Sequence, residues 1–341
     1  MARASLADVA RMAGVSASTA SLALRTEHRV AADTRARVLD AAHKLHYVPD
    51  EISRSMRYGR TNAVGVVIPQ TTEHIFSHPY FTEVLGGIAE VVVAAGYTIT
   101  LSLSAHDESA DAYRRVLESR RADGVILLAA PMDDVNALRL AASGLPTVFL
   151  GEWSNQPTVH SVSIDDRGGA LAVVTHLLEQ GYTRIAHLTG KPGHASALAR
   201  EQGYRAALAA AGRVPAPELV APGDFSAESG RAAMLAVLDS GACPDAVFAA
   251  SDEMAIGALQ TLQQRGLRVP EQIAVAGFDD IGLASVMNPP LTSVHHPMRE
   301  MGHAAAELLL GQINGDLQHP VRRVFATHVV VRASTVRTTT P

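Results

Sequence analysis

Ser5-Leu-Ala-Asp-Val-Ala-Arg-Met-Ala-Gly14-Val-Ser16-Ala-Ser-Thr-Ala-Ser-Leu-Ala-Leu24 is the stretch on which the reading of this chain turns. Ser5 is placed to cap a helix through Leu6, Val9, Ala10 and Ala13, whose spacing makes one apolar face, and Gly14 ends it. Val15 plugs a tight turn, and Ser16 caps a second helix over 17–24 whose Ala20 and Leu24 face back onto the first. A third helix over 34–46 brings Val38, Leu39, Ala42 and Leu45 onto the same small core. This is helix-turn-helix spacing, although an ordinary helical hairpin shares the bare pattern. In a helix-turn-helix the second helix enters the major groove of DNA. Ala17, Ser18, Ser21 and Leu22 then face base edges, while Thr19, Arg25, Thr34 and Arg35 reach phosphates. Small residues in those positions suit thymine methyl contacts and single hydrogen bonds.

The distribution of charge fits that reading. The chain carries 29 Lys+Arg against 34 Asp+Glu, a net charge of -5, but residues 1–60 hold 10 basic and 6 acidic residues and stand at +4, leaving -9 for the rest. A small phosphate-binding module joined to a larger domain with another task has this asymmetry. At 341 residues the chain is too long for one core of ordinary size. No run approaches the roughly eighteen consecutive apolar residues of a membrane span, so no membrane partner is expected. The first ten residues lack the apolar core and cleavage site of an export signal, which predicts a cytoplasmic protein. The sole cysteine, Cys243, has neither a disulfide partner nor clustered metal ligands, and is expected to be a small buried apolar residue.

Working outward, short Val-, Ile- and Leu-rich runs at 63–68, 97–103, 124–128, 147–150, 161–164, 184–188, 246–249 and 273–276 read as buried parallel strands. Amphipathic stretches at 81–95, 110–120, 168–180, 200–211, 227–238 and 253–265 read as the helices between them. So many βα units exceed one doubly wound sheet and predict two lobes with a ligand cleft between them. The expected division is a helix-turn-helix domain at 1–48, a hinge or linker at 49–60, and an α/β effector-binding and dimerisation domain at 61–341. Its first lobe is expected at about 61–162 and 291–320, and its second at about 163–290 and 321–341.

Several motifs recur together. Leu6-Ala-Asp-Val-Ala-Arg-Met-Ala-Gly-Val-Ser-Ala-Ser-Thr-Ala-Ser, Tyr47-Val-Pro-Asp and Arg54-Ser-Met-Arg-Tyr-Gly-Arg-Thr stand at the start. Gly277-Phe-Asp-Asp, Pro289-Pro-Leu-Thr-Ser-Val, Met301-Gly ahead of Ala-Glu-Leu-Leu-Leu, and Val331-Arg-Ala-Ser-Thr follow in order. Over essentially the whole chain this set resembles the lactose-repressor (LacI/GalR) family. The resemblance implies an α helix-turn-helix DNA-binding domain plus an α/β two-lobed, periplasmic-binding-protein-like effector domain of two doubly wound parallel sheets. It implies a sequence-specific transcriptional regulator, by default a repressor relieved by a sugar, that binds double-stranded, pseudo-palindromic operator DNA as a homodimer and takes no cofactor.

Residue by residue, the resemblance adds Ser5, Ser16 and Tyr47 to the DNA-facing set. Leu22, Arg25 and Ala31 depart from the family's usual Arg, Asn and Ser, so no operator sequence carries over. In the hinge, Met56 holds the place of the leucine pressed into the minor groove. Packing of Ile52 and Met56 under the effector domain is the competing reading. Arg200 and Asp279 match the ligand-gripping pair and Phe225 a ring-stacking aromatic. Ser251-Asp252 stands for the usual Asn-Asp, and Gly151-Glu152, next to Trp153, for Asp-Arg. Arg200 and Asp252 also suit surface or lobe-bracing ion pairs, and Phe225 or Trp153 a core. Residues 70–78 read as a lengthened pocket-lining loop that places Tyr80 near the ligand; His74 and His78 in it lack a third metal ligand. The resemblance makes the helix at 81–95 and the segment 281–288 candidates for a dimer interface, and no leucine-heptad tail follows Val331 to make a tetramer.

Two rival readings fit parts of the sequence. An enzyme built on Asp165, Asp252 or Asp279 lacks a dinucleotide, nucleophile-elbow or phosphate-loop motif, since Gly190-Lys191-Pro192 misses the glycine and hydroxyl that loop requires. A solute-binding protein without regulatory role would begin with a signal peptide rather than a basic helix-turn-helix.

Overall fold

The computed structural model describes residues 4–24, 30–47, 60–104, 110–119, 121–153 and 158–337. The chain divides into two compact units, Met1–Thr61 and Asn62–Pro341.

The first unit contains α1 (Leu6–Ala13), α2 (Ala17–Ala23) and α3 (Ala32–Lys44). Ser5 and Asp8 form a reciprocal capping box: Asp8 N donates to Ser5 Oγ at 3.3 Å and Ser5 N donates to Asp8 Oδ2 at 3.0 Å. Gly14, at φ 65°, adopts the left-handed conformation that stops α1 and turns the chain toward α2. Val9, Ala20 and Val38, one from each helix, are fully buried among further alanines, whose small size lets three short helices approach closely. α3 starts two residues before the expected Thr34, with Ala31 at its N-cap making no side-chain bond.

The second unit has two lobes. The first holds a six-stranded parallel sheet in the order β11 (Arg322–Phe325), β5 (His160–Ile164), β4 (Thr147–Leu150), β3 (Gly124–Leu128), β1 (Ala63–Thr71) and β2 (Thr98–Ser104). The second holds a four-stranded parallel sheet in the order β7 (Val220–Ala221), β6 (Ile185–Leu188), β8 (Ala246–Ala249) and β9 (Ala274–Ala276). Strands β3, β4, β5, β6, β8 and β9 are buried at every position, as helices on both faces of a parallel sheet require. The first lobe carries α4 (Thr72–Ser77), α5 (Pro79–Ala94), α6 (Ala110–Ser119), α7 (Val135–Ala142) and α12 (Met298–Asn314). The second carries α8 (Asp166–Glu179), α9 (Ala195–Ala210), α10 (Ala227–Asp239) and α11 (Asp252–Gln264). Helices α5 and α12 touch through Gly87 and Gly302, where a Cβ would overlap the Arg299 and Val84 carbonyls respectively.

The chain crosses between the lobes after β5, after β10 (Ser293–His295), and again before β12 (His328–Val330), which pairs antiparallel with β10. These crossings shift the expected lobe limits. Bridges from Ala276 to Thr292 and from Asp279 to His295 keep 292–295 with the second lobe, and β11 lies beside β5, carrying the first lobe past 320 to Phe325. The expected loop at 70–78 is instead the end of β1 and the helix α4, whose N-cap Thr71 accepts from His74 N. Cys243, expected to be buried, is exposed, because it sits in the turn that leads into β8.

Candidate functional site

In the first unit, Ser16 Oγ accepts from Thr19 N at 3.1 Å and lies 2.8 Å from both the Ser18 and Thr19 hydroxyls. The cap of α2 thus gathers three hydroxyls at the start of the helix expected to meet DNA. Ala17 and Ser18 are exposed; Thr19, Ser21 and Leu22 are half-buried. Thr34 and Arg35, in the first turn of α3, and Tyr47, packed on the helical core, are half-buried as well. Ser5 and Ser16 present oxygens already engaged in caps. Arg25 and Met56 lie outside the described residues.

In the second unit, the lobes border a cleft of about 900 Å³ that opens to solvent. Arg200, from α9 and only 4% exposed, holds its centre. Its Nε donates to Asp166 Oδ1 at 2.7 Å, its Nη1 donates to the Ala250 carbonyl at 2.5 Å, and Nη1 also lies 3.5 Å from Asp279 Oδ1. The guanidinium sits 3.7 Å from the centre of the Phe278 ring. Asp166 opens α8, and Asp279 follows β9 at φ 109°, a strained position for a non-glycine residue, fixed by its N–H bond to the Val294 carbonyl at 2.9 Å. His296 Nδ1 approaches Asp279 Oδ1 at 3.1 Å, and its ring lies 5.4 Å from that of Tyr80. Burial works to raise the Asp279 carboxyl, yet Arg200 and His296 hold it below its ordinary value. A guanidinium shared by two carboxylates and flanked by rings offers paired donors and acceptors to neighbouring hydroxyls and a face for an apolar ring edge.

Phe225, at φ 76°, lays its ring over Gly190, where any Cβ would overlap it. From the first lobe come exposed Glu152 and buried Trp153, the latter 4.6 Å from Phe149 between ring centres. Among the contacts that join the lobes in the described residues are three side-chain or backbone approaches across the cleft. Lys191 Nζ donates to Gln70 Oε1 at 3.3 Å, Met132 N donates to the Gly193 carbonyl at 3.0 Å, and His78 Nε2 lies 3.8 Å from Glu253 Oε2.

Of the residues singled out from sequence, Tyr80, Glu152, Trp153, Arg200, Phe225 and Asp279 line this one cavity. Ser251 and Asp252 do not. Ser251 Oγ caps α11 at Met254 N and donates to the Phe225 carbonyl, and fully buried Asp252 accepts from Ile281 N at 2.9 Å and Ser293 Oγ at 2.5 Å. Their polar atoms brace the second lobe, for Asp252 through an N–H and a hydroxyl rather than an ion pair. Asp166, His296, Lys191 and His194 line the cavity and were not singled out as ligand residues. Their signals were local: a doubled Asp165-Asp166 ahead of α8, a doubled His295-His296 after Pro289-Pro-Leu-Thr-Ser-Val, and Lys191 and His194 in the turn before α9. His74 and His78 line it too, with ring centres 5.5 Å apart, and no group of three or more metal-ligating side chains occurs among the described residues.

A basic helix-turn-helix and a two-lobed binding cleft in one chain define a ligand-responsive DNA-binding regulator. Residues 5–50 match the bacterial regulatory proteins of the lacI family, and residues 174–335 match a periplasmic binding protein-like domain. The HTH-type transcriptional regulator CelR of Thermobifida fusca is 36% identical over 334 residues, spanning 97% of this chain and 98% of that protein. The solved complex of the transcriptional regulator CelR with cellobiose superimposes with a TM-score of 0.76 at 36% identity, over 97% of this chain and 100% of that one. The lac repressor dimer bound to operator and the anti-inducer ONPF gives a TM-score of 0.88 at 27% identity, over 98% and 100% of the two chains. The chain belongs to the lacI family of bacterial regulatory proteins. Family members are transcription regulators rather than enzymes. Among the described residues no helix is long and apolar enough to cross a membrane.

Proposed function

We propose that this protein is a cytoplasmic transcriptional repressor whose homodimer binds a pseudo-palindromic operator under the control of a carbohydrate effector. The observation that carries the effector half is the buried Arg200 fork on Asp166 and Asp279 in a cleft flanked by Tyr80, Trp153 and Phe225. That CelR was solved with cellobiose, at similar length and fold, supports a carbohydrate here. The DNA half is assigned to the hydroxyls and small residues of α2 (Ser16, Ala17, Ser18, Thr19, Ser21, Leu22), with Ser5, Thr34, Arg35 and Tyr47 around them. Arg25 and the minor-groove wedge Met56 belong to that set on sequence grounds alone. Exposed Val93 on α5 and exposed Leu283 and Val286 support the two segments assigned to dimerisation.

A catalytic role is disfavoured by the carboxylates themselves. Asp165 caps α8 at Gly168 N, Asp252 is bonded to Ile281 and Ser293, and Asp279 to Arg200 and His296, so each is engaged in holding structure or the Arg200 fork. The test is selection of duplex DNA from a random library by the purified protein, with and without a panel of sugars, at near-physiological salt. An enriched palindrome released by one sugar is the expected result. Sugar binding without any enriched DNA would overturn the repressor in favour of a plain solute-binding protein.

A further inference from the structure

The 16-residue helix α9 starts at the cavity wall without a side-chain cap: His194 holds the N-cap position and makes no capping bond. Ala195 and Ser196, in its first turn, line the cavity, so unclaimed N–H groups and the positive end of the helix face the ligand space. A second observation is independent of the helix end. His194 is only 8% exposed and lines the same cavity, and its Nε2 is buried with no hydrogen-bond partner. Burying an imidazole nitrogen without a partner is unfavourable, which marks a group awaiting one. Lys191, one turn earlier, also lines the cavity; its ammonium makes no ion pair among the described residues and donates to the neutral Gln70 amide. Burial, then Lys191, holds the His194 ring down to about 4, a cost that a negative charge beside the pair would relieve.

Three carboxylates of the cavity are committed elsewhere, and the fourth, Glu152, is an exposed residue of the first lobe. Asp224 Oδ1 accepts from Ser226 N at 3.0 Å and Ser226 Oγ at 2.6 Å, and Asp166 and Asp279 share Arg200. What remains at this corner is the first-turn N–H groups of α9, the His194 ring and the Lys191 ammonium, whose acceptor is the neutral Gln70 amide. Helix N-termini with an adjacent lysine are a recurrent means of holding phosphate and carboxylate groups.

We propose that Lys191, His194 and the first turn of α9 form an oxyanion subsite, so that the effector is a carbohydrate bearing a phosphate or carboxylate group. This rests on the carbohydrate reading of the cleft given above. The full-length protein is titrated calorimetrically with glucose, glucose 6-phosphate, gluconate and inorganic phosphate, and the titrations are repeated on Lys191→Gln and His194→Ala. Binding of inorganic phosphate, together with a charged sugar that outbinds glucose, is expected, and Lys191→Gln, which also removes the lobe-joining bond to Gln70, should weaken the charged ligands about tenfold or more beyond any effect it has on glucose. Glucose 6-phosphate exceeding gluconate would assign the group as phosphate, and the reverse as carboxylate; either supports the subsite. If His194→Ala does not fold, Lys191→Gln alone decides, because Lys191 is half-buried and supports no neighbour other than Gln70. Glucose binding equally to wild type and Lys191→Gln, with no response to phosphate or gluconate, overturns the subsite and leaves the carbohydrate reading intact. Silence toward all four ligands overturns the subsite, and DNA selection insensitive to any sugar then shows that the carbohydrate reading failed as well.

Discussion

Arg200 is the residue through which fold and ligand are joined, because its guanidinium is buried between carboxylates from two segments of the second lobe. Arg200→Lys keeps the charge and removes the fork, so effector binding should weaken by about tenfold or more while operator binding persists. Effector titration of operator-bound protein checks this, and an unchanged response would remove Arg200 from the site. Arg200→Ala leaves Asp166 and Asp279 buried without their cation and should lower stability by about 3–5 kcal/mol, read by urea unfolding. His187 is a different kind of buried residue. Its ring stacks between Tyr204 and Phe248 at 4.9 and 4.8 Å, and burial pushes it down to about 4. The folded state therefore prefers the neutral ring, and the stability this brings is complete above the ordinary value of 6.5 and is lost as pH falls from there toward 4. Replacing it by Leu should flatten that limb of the stability–pH curve by on the order of 3 kcal/mol; an identical curve would sink the assignment. Arg200, Asp279 and Phe225 were legible because each sits in a motif with a residue-for-residue counterpart. Asp166 and His296 were not, since each is the second of a doubled pair, and only the packed turn shows which member faces the cavity.

Helix ends show how far local chemistry reaches at the scale of elements. The Ser5 and Ser16 caps and the Gly14 stop lie in contiguous sequence, and the structure uses all three as local capping rules dictate. Ser16→Ala should cost about 1 kcal/mol of stability and also release the Ser18 and Thr19 hydroxyls from the geometry that Ser16 Oγ imposes. Operator affinity should then fall by more than the affinity for random duplex, and equal losses on both would reduce Ser16 to a purely structural cap. Where an element depends on distant partners, sequence reading fell short. β11 is an edge strand with little burial, recognisable only by its pairing with β5 some 160 residues earlier, and so the first lobe was closed too soon. α9 begins five residues before the stretch read as helical, because His194 provides no capping signal. α4 escaped notice for a related reason: six residues are too few for a periodic pattern to stand out.

At the scale of the whole second unit, the question is what sets the balance between closed and open lobes. The cross-lobe contacts are few, and one of them titrates. His78, at the start of α5, faces Glu253, at the start of α11, across the cleft at 3.8 Å. Burial, assisted by Asp279, pushes the Glu253 carboxyl up to about 7, whereas burial lowers His78 from its ordinary 6.5. Above 6.5 the histidine is thus already neutral, and Glu253 is the member of the pair still titrating. Opening the lobes hydrates Glu253 and returns it toward its ordinary 4.5, so closing takes up a proton between these values and becomes less favourable as pH rises through 7. From pH 6.5 to 8 the closing equilibrium should drop roughly fourfold in the wild type and stay level in Glu253→Gln, which cannot ionise. The reporter is already in place: Trp153 is the sole tryptophan, lines the cleft and is 5% exposed when the lobes are together. Acrylamide quenching of its fluorescence should rise with pH in the wild type only. Parallel rises in wild type and variant would move the pH sensitivity to another group, whereas no rise in either would mean that Glu253 is hydrated equally in both states and that the Gln70–Lys191 and Met132–Gly193 contacts set closure without it.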